Sequence, residues 1–386
     1  MERLVAKYVG KMVEQRIADD GMPVLGCRDS EIVWSREDPK ITGILEEVFK
    51  HLNINSLLYC RPAEPYGSMI EYLAAHSDGA ILPQDTETRT FLHDLPLAAS
   101  FTAEEVVHNL KRRKTVILPR GEIVSFGTIS PQQAFIGFSS VCFACFVKFM
   151  SDRLQDSRGS KMDDQARRIM NDALQKTEIS HPHEKLSRRG PYITEDEVHR
   201  EMARVGKLTV TSGMVDSYFG NISYLMDDTL YISQTGSSLD ELEGTIDPYR
   251  LDGSSCAGIT SSAELTAHLR ILETTGKCAI LHGHPKFSVT MSLDCHEEDC
   301  DGAGRCHLEC LKTRTIGDVP IVSGEVGTGR YGLCNTVPEA MVNRRGVIVY
   351  GHGLFTVGHA DLDEPLNNLL DIERMCFEEF AKLTGQ

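Results

Sequence analysis

Basic residues are in short supply in this 386-residue chain: 40 Lys and Arg stand against 56 Asp and Glu, a formal net charge of −16. Affinity for a phosphate backbone comes largely from neutralising phosphates with basic side chains, so this balance excludes nucleic acid from the expected partners. Long apolar runs are lacking too. No uninterrupted stretch reaches the roughly 18 residues that a membrane-spanning helix calls for, and no membrane is expected among the partners. The opening run MERLVAKYVGKMVEQ is amphipathic and charged, without the apolar core of a secretory signal. Cysteine, by contrast, is plentiful at 12 residues. Without an export signal these read as reduced thiols or metal ligands rather than a disulfide framework. Hydrophobic residues at 41% and charged residues at 25% describe an ordinary globular chain long enough for two domains. A cytoplasmic enzyme is the expected class.

Composition breaks between about Ser151 and Tyr192, where the chain turns polar and carries Pro182 and Pro191. This reads as a helix followed by an exposed connection, and divides the chain into residues 1–152, a linker over 153–192, and residues 193–386. The two flanks share an order of elements. KRRKTVILPRGEIVSFG, from Lys111, parallels NRRGVIVYGHGLFTVG, from Asn343; ILEEVFKHLNINSLLYCRP, from Ile44, parallels HLRILETTGKCAILHGHP, from His268. Two readings stay open: tandem copies of one domain, or unrelated α/β domains with generic strand–helix patterning. Under the first, the residues opposite His282, His284 and His352 are Tyr59, Arg61 and Arg120, none a usual metal ligand. The first half is then a scaffold copy that has lost a site.

The site in question starts with AILHGHP. A short apolar run bounded by Gly276 and Pro285 suits a buried strand. Residues two apart on a strand share a face, so His282 and His284 can present their imidazoles side by side. Alone, such a pair is matched by a bland alternative, two hydrogen-bonded histidines at a strand end. GVIVYGHGLF places His352 at the end of another β-branched run, and three protein ligands with an open position are common in catalytic zinc sites. In TSSAELTAHL, Thr260 to Ser262 are good helix caps, which puts Glu264 in the first helical turn. His268 lies four residues on along that helix and reads as hydrogen-bonded rather than ligating.

Five segments, SGMVDSYFGNIS, YISQTGSSLDEL, TSSAELTAHL, AILHGHP and VIVYGHGLF, together resemble the class II aldolase/adducin family from about Ile193 to the C-terminus. The resemblance implies a three-layer α/β/α fold with a mostly antiparallel central sheet, here in two tandem copies. It implies zinc, or another divalent transition metal, held by His282, His284 and His352, with Glu264 both a resting-state ligand and the catalytic acid/base. It implies a substrate-phosphate pocket at Gly220, Asn221, Thr235, Gly236 and Ser262, although Ala263 follows Ser262 where the family has a second serine. Family members form fourfold rings, so a tandem chain is expected as a homo-oligomer, a dimer forming a pseudo-tetramer.

The implied activity is a zinc-dependent lyase that cleaves a ketose phosphate or related hydroxyketone by retro-aldol chemistry through an enediolate. A metal-dependent epimerase, dehydratase or decarboxylase on the same fold remains open, as does a non-catalytic adducin-like scaffold. One segment falls outside the resemblance: LDCHEEDCDGAGRCHLECLK gathers Cys295, Cys300, Cys306 and Cys310, with His296 and His307 among them. A second metal, as a structural zinc or an iron–sulfur cluster, competes there with disulfides and free thiols. Cys142 and Cys145, on the strongly apolar stretch SSVCFACFVKF, read as core.

Overall fold

Short β-branched runs become buried strands in this protein, and the amphipathic stretches between them become the helices that cover the strands. The computed structural model describes residues 1–159, 163–177, 179, 190–216, 218–295, 297 and 300–385. Residues 180–189 of the expected linker, Pro182 among them, and His296 lie outside the described residues. The chain forms two units, Met1–Thr177 and Glu178–Gln386.

Unit 1 runs α1 (Glu2–Glu14), β1 (Val24–Arg28), β2 (Ile32–Trp34), α2 (Pro39–His51), β3 (Ser56–Cys60), α3 (Tyr66–Ala75), β4 (Ala80–Ile81), α4 (Thr86–Phe91), β5 (Leu95–Pro96), α5 (Ala103–Leu110), β6 (Thr115–Ile117), β7 (Ile123–Gly127), α6 (Pro131–Gly159) and α7 (Asp164–Lys176). Its main sheet has the order β2-β1-β3-β7-β6 with every pairing antiparallel. Leu45, Val48 and Phe49 of α2 and Val106 and Leu110 of α5 cover one face, against Leu57, Val116 and Val124. Helix α6 packs on β3 and β7, and it buries Cys142 and Cys145. By composition α6 is apolar enough to span a membrane, although polar residues interrupt its apolar run; 89% of its most apolar window is buried inside the protein, and it serves as a core helix. Helix α7, which the composition break assigns to the connection, belongs to unit 1, where the Tyr72 hydroxyl meets Asp163 at 2.5 Å.

Unit 2 runs α8 (Glu195–Thr211), β8 (Asn221–Met226), β9 (Thr229–Ser233), β10 (Ile246–Arg250), a 3₁₀ turn (Cys256–Ile259), α9 (Leu265–Thr275), β11 (Ala279–Gly283), α10 (Lys286–Leu293), β12 (Arg314–Ile316), β13 (Val319–Val322), α11 (Leu333–Met341), β14 (Gly346–Val349), β15 (Gly353–Gly358) and α12 (Asp363–Leu383). Its sheet has the order β10-β9-β8-β11-β15-β14-β13-β12. The sheet is mixed, because β13 and β14 pair in parallel. Ala267 and Ile271 of α9 and Val337 and Met341 of α11 pack on Ile280, Val347 and Phe355. Helix α12 packs on β11 and β15.

The inner strands of the two units follow one plan. β9-β8-β11-β15-β14 repeats the order β2-β1-β3-β7-β6, antiparallel throughout. Register then fixes counterparts. Tyr59 pairs with Val124 as His282 pairs with Phe355, and Val116 pairs with Val124 as Val347 pairs with Phe355. Counting back along the last strand places Gly121, not the expected Arg120, opposite His352. The shift arises because each hairpin puts its positive-φ glycine at a different turn position, Gly121 (φ 81°) in one and Gly351 (φ 62°) in the other.

Candidate metal centre

Strand β11 is buried along its whole length and lies between β8 and β15. Its register sets His282 opposite Asn221 on one side and Phe355 on the other. Side chains directly opposite in an antiparallel pair share a face, so His282, Asn221 and Phe355 point the same way. The Phe355 ring stacks on His282 with centroids 3.9 Å apart. His284 lies one residue past the strand end, with Phe219 stacked against it at 5.5 Å. His352 sits in the tight turn between β14 and β15, where its N–H donates to the Val349 carbonyl at 3.0 Å.

These three side chains converge. The Nε2 atoms of His282 and His352 are 3.2 Å apart, and those of His282 and His284 are 3.0 Å apart. All three are buried, and one potential ligand atom from each lies within 4.8 Å of the others. The Glu264 Oε1 atom is 3.3 Å from His352 Nε2, and Oε2 is 3.6 Å from His282 Nε2. Two nitrogens bound to one zinc at the usual bond length and a tetrahedral angle stand about 3.3 Å apart, so this donor set fits a divalent ion. The His282 Nδ1–H donates to the Leu354 carbonyl at 3.1 Å, which leaves the Nε2 lone pair facing the centre.

Two glycines make the convergence sterically feasible. A Cβ on Gly353 would stand 2.7 Å from His282 Cε1, 2.8 Å from His284 Cδ2 and 2.5 Å from the Gly283 carbonyl. A Cβ on Gly220, already at φ 96°, would meet the His282 carbonyl at 2.7 Å.

Electrostatics favour a cation. Burial lowers the pKa of His282 to about 4 against the pull of Glu264, and burial holds His284 well below its ordinary value. Burial alone would raise the Glu264 pKa, but His282, His352 and the Asn221 hydrogen bond outweigh it and keep the carboxyl well below its usual range. Near neutral pH burial therefore keeps His282 and His284 neutral beside the Glu264 carboxylate. That is the protonation state a metal requires.

The sequence reading places Glu264 in the first turn of α9; it occupies the cap position itself, with Ser262 Oγ accepting from its N–H at 3.3 Å. That reading also misses the group that supports Glu264. Asn221 Nδ2 donates to Glu264 Oε2 at 2.6 Å, His268 Nε2–H donates to Asn221 Oδ1 at 2.5 Å, and Ser223 Oγ donates to His268 Nδ1 at 2.7 Å. Helical spacing brings His268 beside Glu264, but only the β8–β11 register brings in Asn221 and Ser223.

The Asn221 side chain is thus engaged within the protein. Thr235, another member of the expected phosphate pocket, donates its hydroxyl to the Ser261 carbonyl at 2.9 Å. The Thr235–Gly236 turn and the Ser261–Ser262 loop are neighbours, joined by a bridge between Gln234 and Ser261 and by Ser262 N–H on the Ser233 carbonyl at 3.0 Å. Cys295, Cys300, Cys306 and Cys310 lie apart from the triad, on the loop between α10 and β12.

Residues 200–379 match the family described as Class II Aldolase and Adducin N-terminal domain. Among solved structures, the chain is similar to YgbL of Klebsiella pneumoniae, for which aldolase, epimerase and decarboxylase are named together, at 22% identity over 48% of this chain and 89% of that one, with a TM-score of 0.39. It is similar to L-fuculose-1-phosphate aldolase of Thermus thermophilus at 21% identity over 49% of this chain and 94% of that one, with a TM-score of 0.38. It is also similar to a sugar-phosphate aldolase of Thermotoga maritima at 19% identity over 49% and 96%, with a TM-score of 0.37. No curated protein matches the chain.

Proposed function

From the premise that residues 200–379 belong to the class II aldolase/adducin family, we propose that unit 2 is a zinc-dependent lyase that cleaves a ketose phosphate or related hydroxyketone by retro-aldol chemistry. The observation that carries this reading is the convergence of three buried imidazoles on one carboxylate, Glu264. His282, His284 and His352, with Glu264 as fourth donor, would hold the ion, which when bound supplies Lewis acidity toward a developing oxyanion.

Glu264 is the group placed to move a proton. As the substrate carbon–carbon bond breaks, its electron pair passes into the carbonyl half, and an aldehyde departs. The hydroxyl that becomes the aldehyde gives up its proton as the bond breaks, and a Glu264 carboxylate swung away from His352 can take that proton and deliver it to the carbon left behind. Asn221, held in turn by His268, keeps that carboxylate in place between turnovers. With Asn221 and Thr235 engaged internally, recognition of a substrate phosphate falls to the backbone at Gly220 and Gly236 and to the Ser262 hydroxyl.

Unit 1 is read as a second copy of the domain without the site. The shared strand order supports this, as do Tyr59, Arg61 and Gly121 at the positions of the three histidines. Two chains then supply the four units of a ring.

The test pairs metal analysis of wild type and His284→Ala with a product screen on sugar phosphates and hydroxyketones. Loss of one metal equivalent and release of an aldehyde are expected. Equal metal content in the two proteins would overturn the site. Epimerised, dehydrated or decarboxylated product would replace the lyase reading with that reaction, and a metal-replete protein with no turnover would leave the adducin-like scaffold. A monomeric solution mass would exclude the ring.

A further inference from the structure

Helix α10 starts two residues after His284 and is buried from Phe287 to Leu293. The first N–H groups of a helix have no partner within it and call for an acceptor from elsewhere. Pro285 holds the cap position and has no side-chain acceptor to offer. The acceptor is Glu373 of α12, 86 residues beyond Phe287 and itself buried. Its Oε1 accepts from the Phe287 N–H at 2.7 Å, and its Oε2 accepts from the Ser288 N–H and the Ser288 hydroxyl, each at 2.7 Å. Burial, the largest cause, raises the Glu373 pKa, while those donors and Lys286 act the other way. The Phe287 ring packs on Phe377 and Phe380 of the same helix, with centroids 5.0 and 5.4 Å apart. Helix α12 thus seats the start of α10 by polar and apolar contacts together.

Both ends of α10 lead to an imidazole of the triad. His284 lies past the end of β11, so its backbone is held by the Met214 carbonyl, which accepts its N–H at 3.0 Å, and by the helix that follows. At the far end Ser292 Oγ accepts from the Gly351 N–H at 2.8 Å, and Gly351 precedes His352. In unit 1 the helix after β3 is capped within its own turn, where the Ser68 N–H donates to Glu64 at 3.2 Å. The cap drawn from a distant helix belongs to the unit that carries the triad.

We propose that Glu373 is a positioning residue for the metal centre. By pinning the first turn of α10 it fixes His284, and through Ser292 and Gly351 the same helix sets His352 against it. Loss of the carboxylate strands two buried N–H groups, and the helix start then shifts to find water or another acceptor. The spacing of two imidazoles shifts with it. The proposal rests on the reading of the triad as a metal site, and not on which reaction that site performs.

The test is zinc affinity, measured on the full-length chain by competition with a chromophoric chelator and read for the equivalent that His284→Ala lacks. Glu373→Ala is expected to weaken that affinity about 10- to 100-fold, the range for loss of a group that orients ligands. Glu373→Gln should recover part of the loss, because its amide oxygen can accept from one N–H while its NH2 opposes the other. Ser292→Ala, which cuts the link at the far end, should weaken binding as well and serves where Glu373→Ala fails to fold. Met202→Ala, a truncation of a buried side chain on α8, should lower the stability of the same unit and leave the affinity as in wild type. Wild-type affinity in both Glu373 variants, or a loss no larger than that in Met202→Ala, would overturn the role of Glu373 while the triad stands. Zinc that His284→Ala retains in full would remove the triad reading, and this proposal with it.

Discussion

Strands β3 and β11 occupy the same place in their sheets, yet one ends in Tyr59, Cys60 and Arg61 and the other in His282, Gly283 and His284. Tyr59 stacks on Phe101 at 5.0 Å and Arg61 pairs with Glu71 at 2.9 Å, so unit 1 spends these positions on packing and a surface ion pair. Unit 2 spends them on two of the three buried imidazoles that converge. The hairpins that follow differ in the same sense. Where the site needs space, unit 2 has Gly353; the matching position in unit 1 is Glu122, a buried carboxylate paired with Arg120 at 2.9 Å. One strand order thus accommodates two uses, and a few side chains at strand ends decide which.

The sharpest way to break this comparison is to remove a ligand from one unit and its counterpart from the other. His284→Ala is expected to abolish metal binding at the triad and to reduce turnover by more than the ~100-fold that loss of an outer partner costs, whereas Arg61→Ala should leave both unchanged. Metal analysis and steady-state kinetics on the two variants decide it. Asn221→Ala removes the support of Glu264 but no ligand; we expect kcat to fall about 10- to 100-fold with metal retained, and full metal loss would instead make Asn221 part of the binding set.

Gly353→Ala should cost about 1–3 kcal/mol in chemical denaturation, because the new methyl meets two imidazoles and a carbonyl. Glu122→Ala, at the position that already holds a side chain, creates no such clash and should cost less than about 1 kcal/mol, because the Arg120 half of its ion pair is exposed. Equal costs would mean that the two hairpins are not counterparts.

The smallest effect expected is a slope. Burial, the largest cause, lowers the pKa of His268 from 6.5 to about 4, with Glu264 opposing the shift and His282 adding to it. The folded protein therefore keeps His268 neutral where the unfolded chain would take up a proton. The stability gained is complete above about pH 6.5 and is lost as pH falls toward 4. Denaturation of the metal-loaded protein across that range should show a shallower pH dependence in His268→Gln than in wild type.

Much of the candidate site can be read along the chain, because its parts are local patterns. His282 and His284 share a strand face through the two-residue repeat, and Glu264 and His268 share a helix face through the four-residue one. Local pattern stops at contacts between distant strands. Matching the glycine that follows Arg120 to the glycine that follows His352 makes Arg120 the partner of His352, whereas hydrogen-bond register gives Gly121. An aligned glycine carries no information on where a turn places it.

What the sequence determined by itself is the supply of donors: an H-x-H at the end of an apolar run, a histidine in a glycine turn and a glutamate at a helix start. Tertiary structure alone decided that they meet. Antiparallel pairing of β11 with β15 carries His352 to His282, and pairing of β11 with β8 sets Asn221 beside Glu264. Periodicity records which way a side chain faces within its own element. Which residue faces it from 43 or 70 positions away depends on strand order and register, and those are set by burial of the whole sheet between its helices.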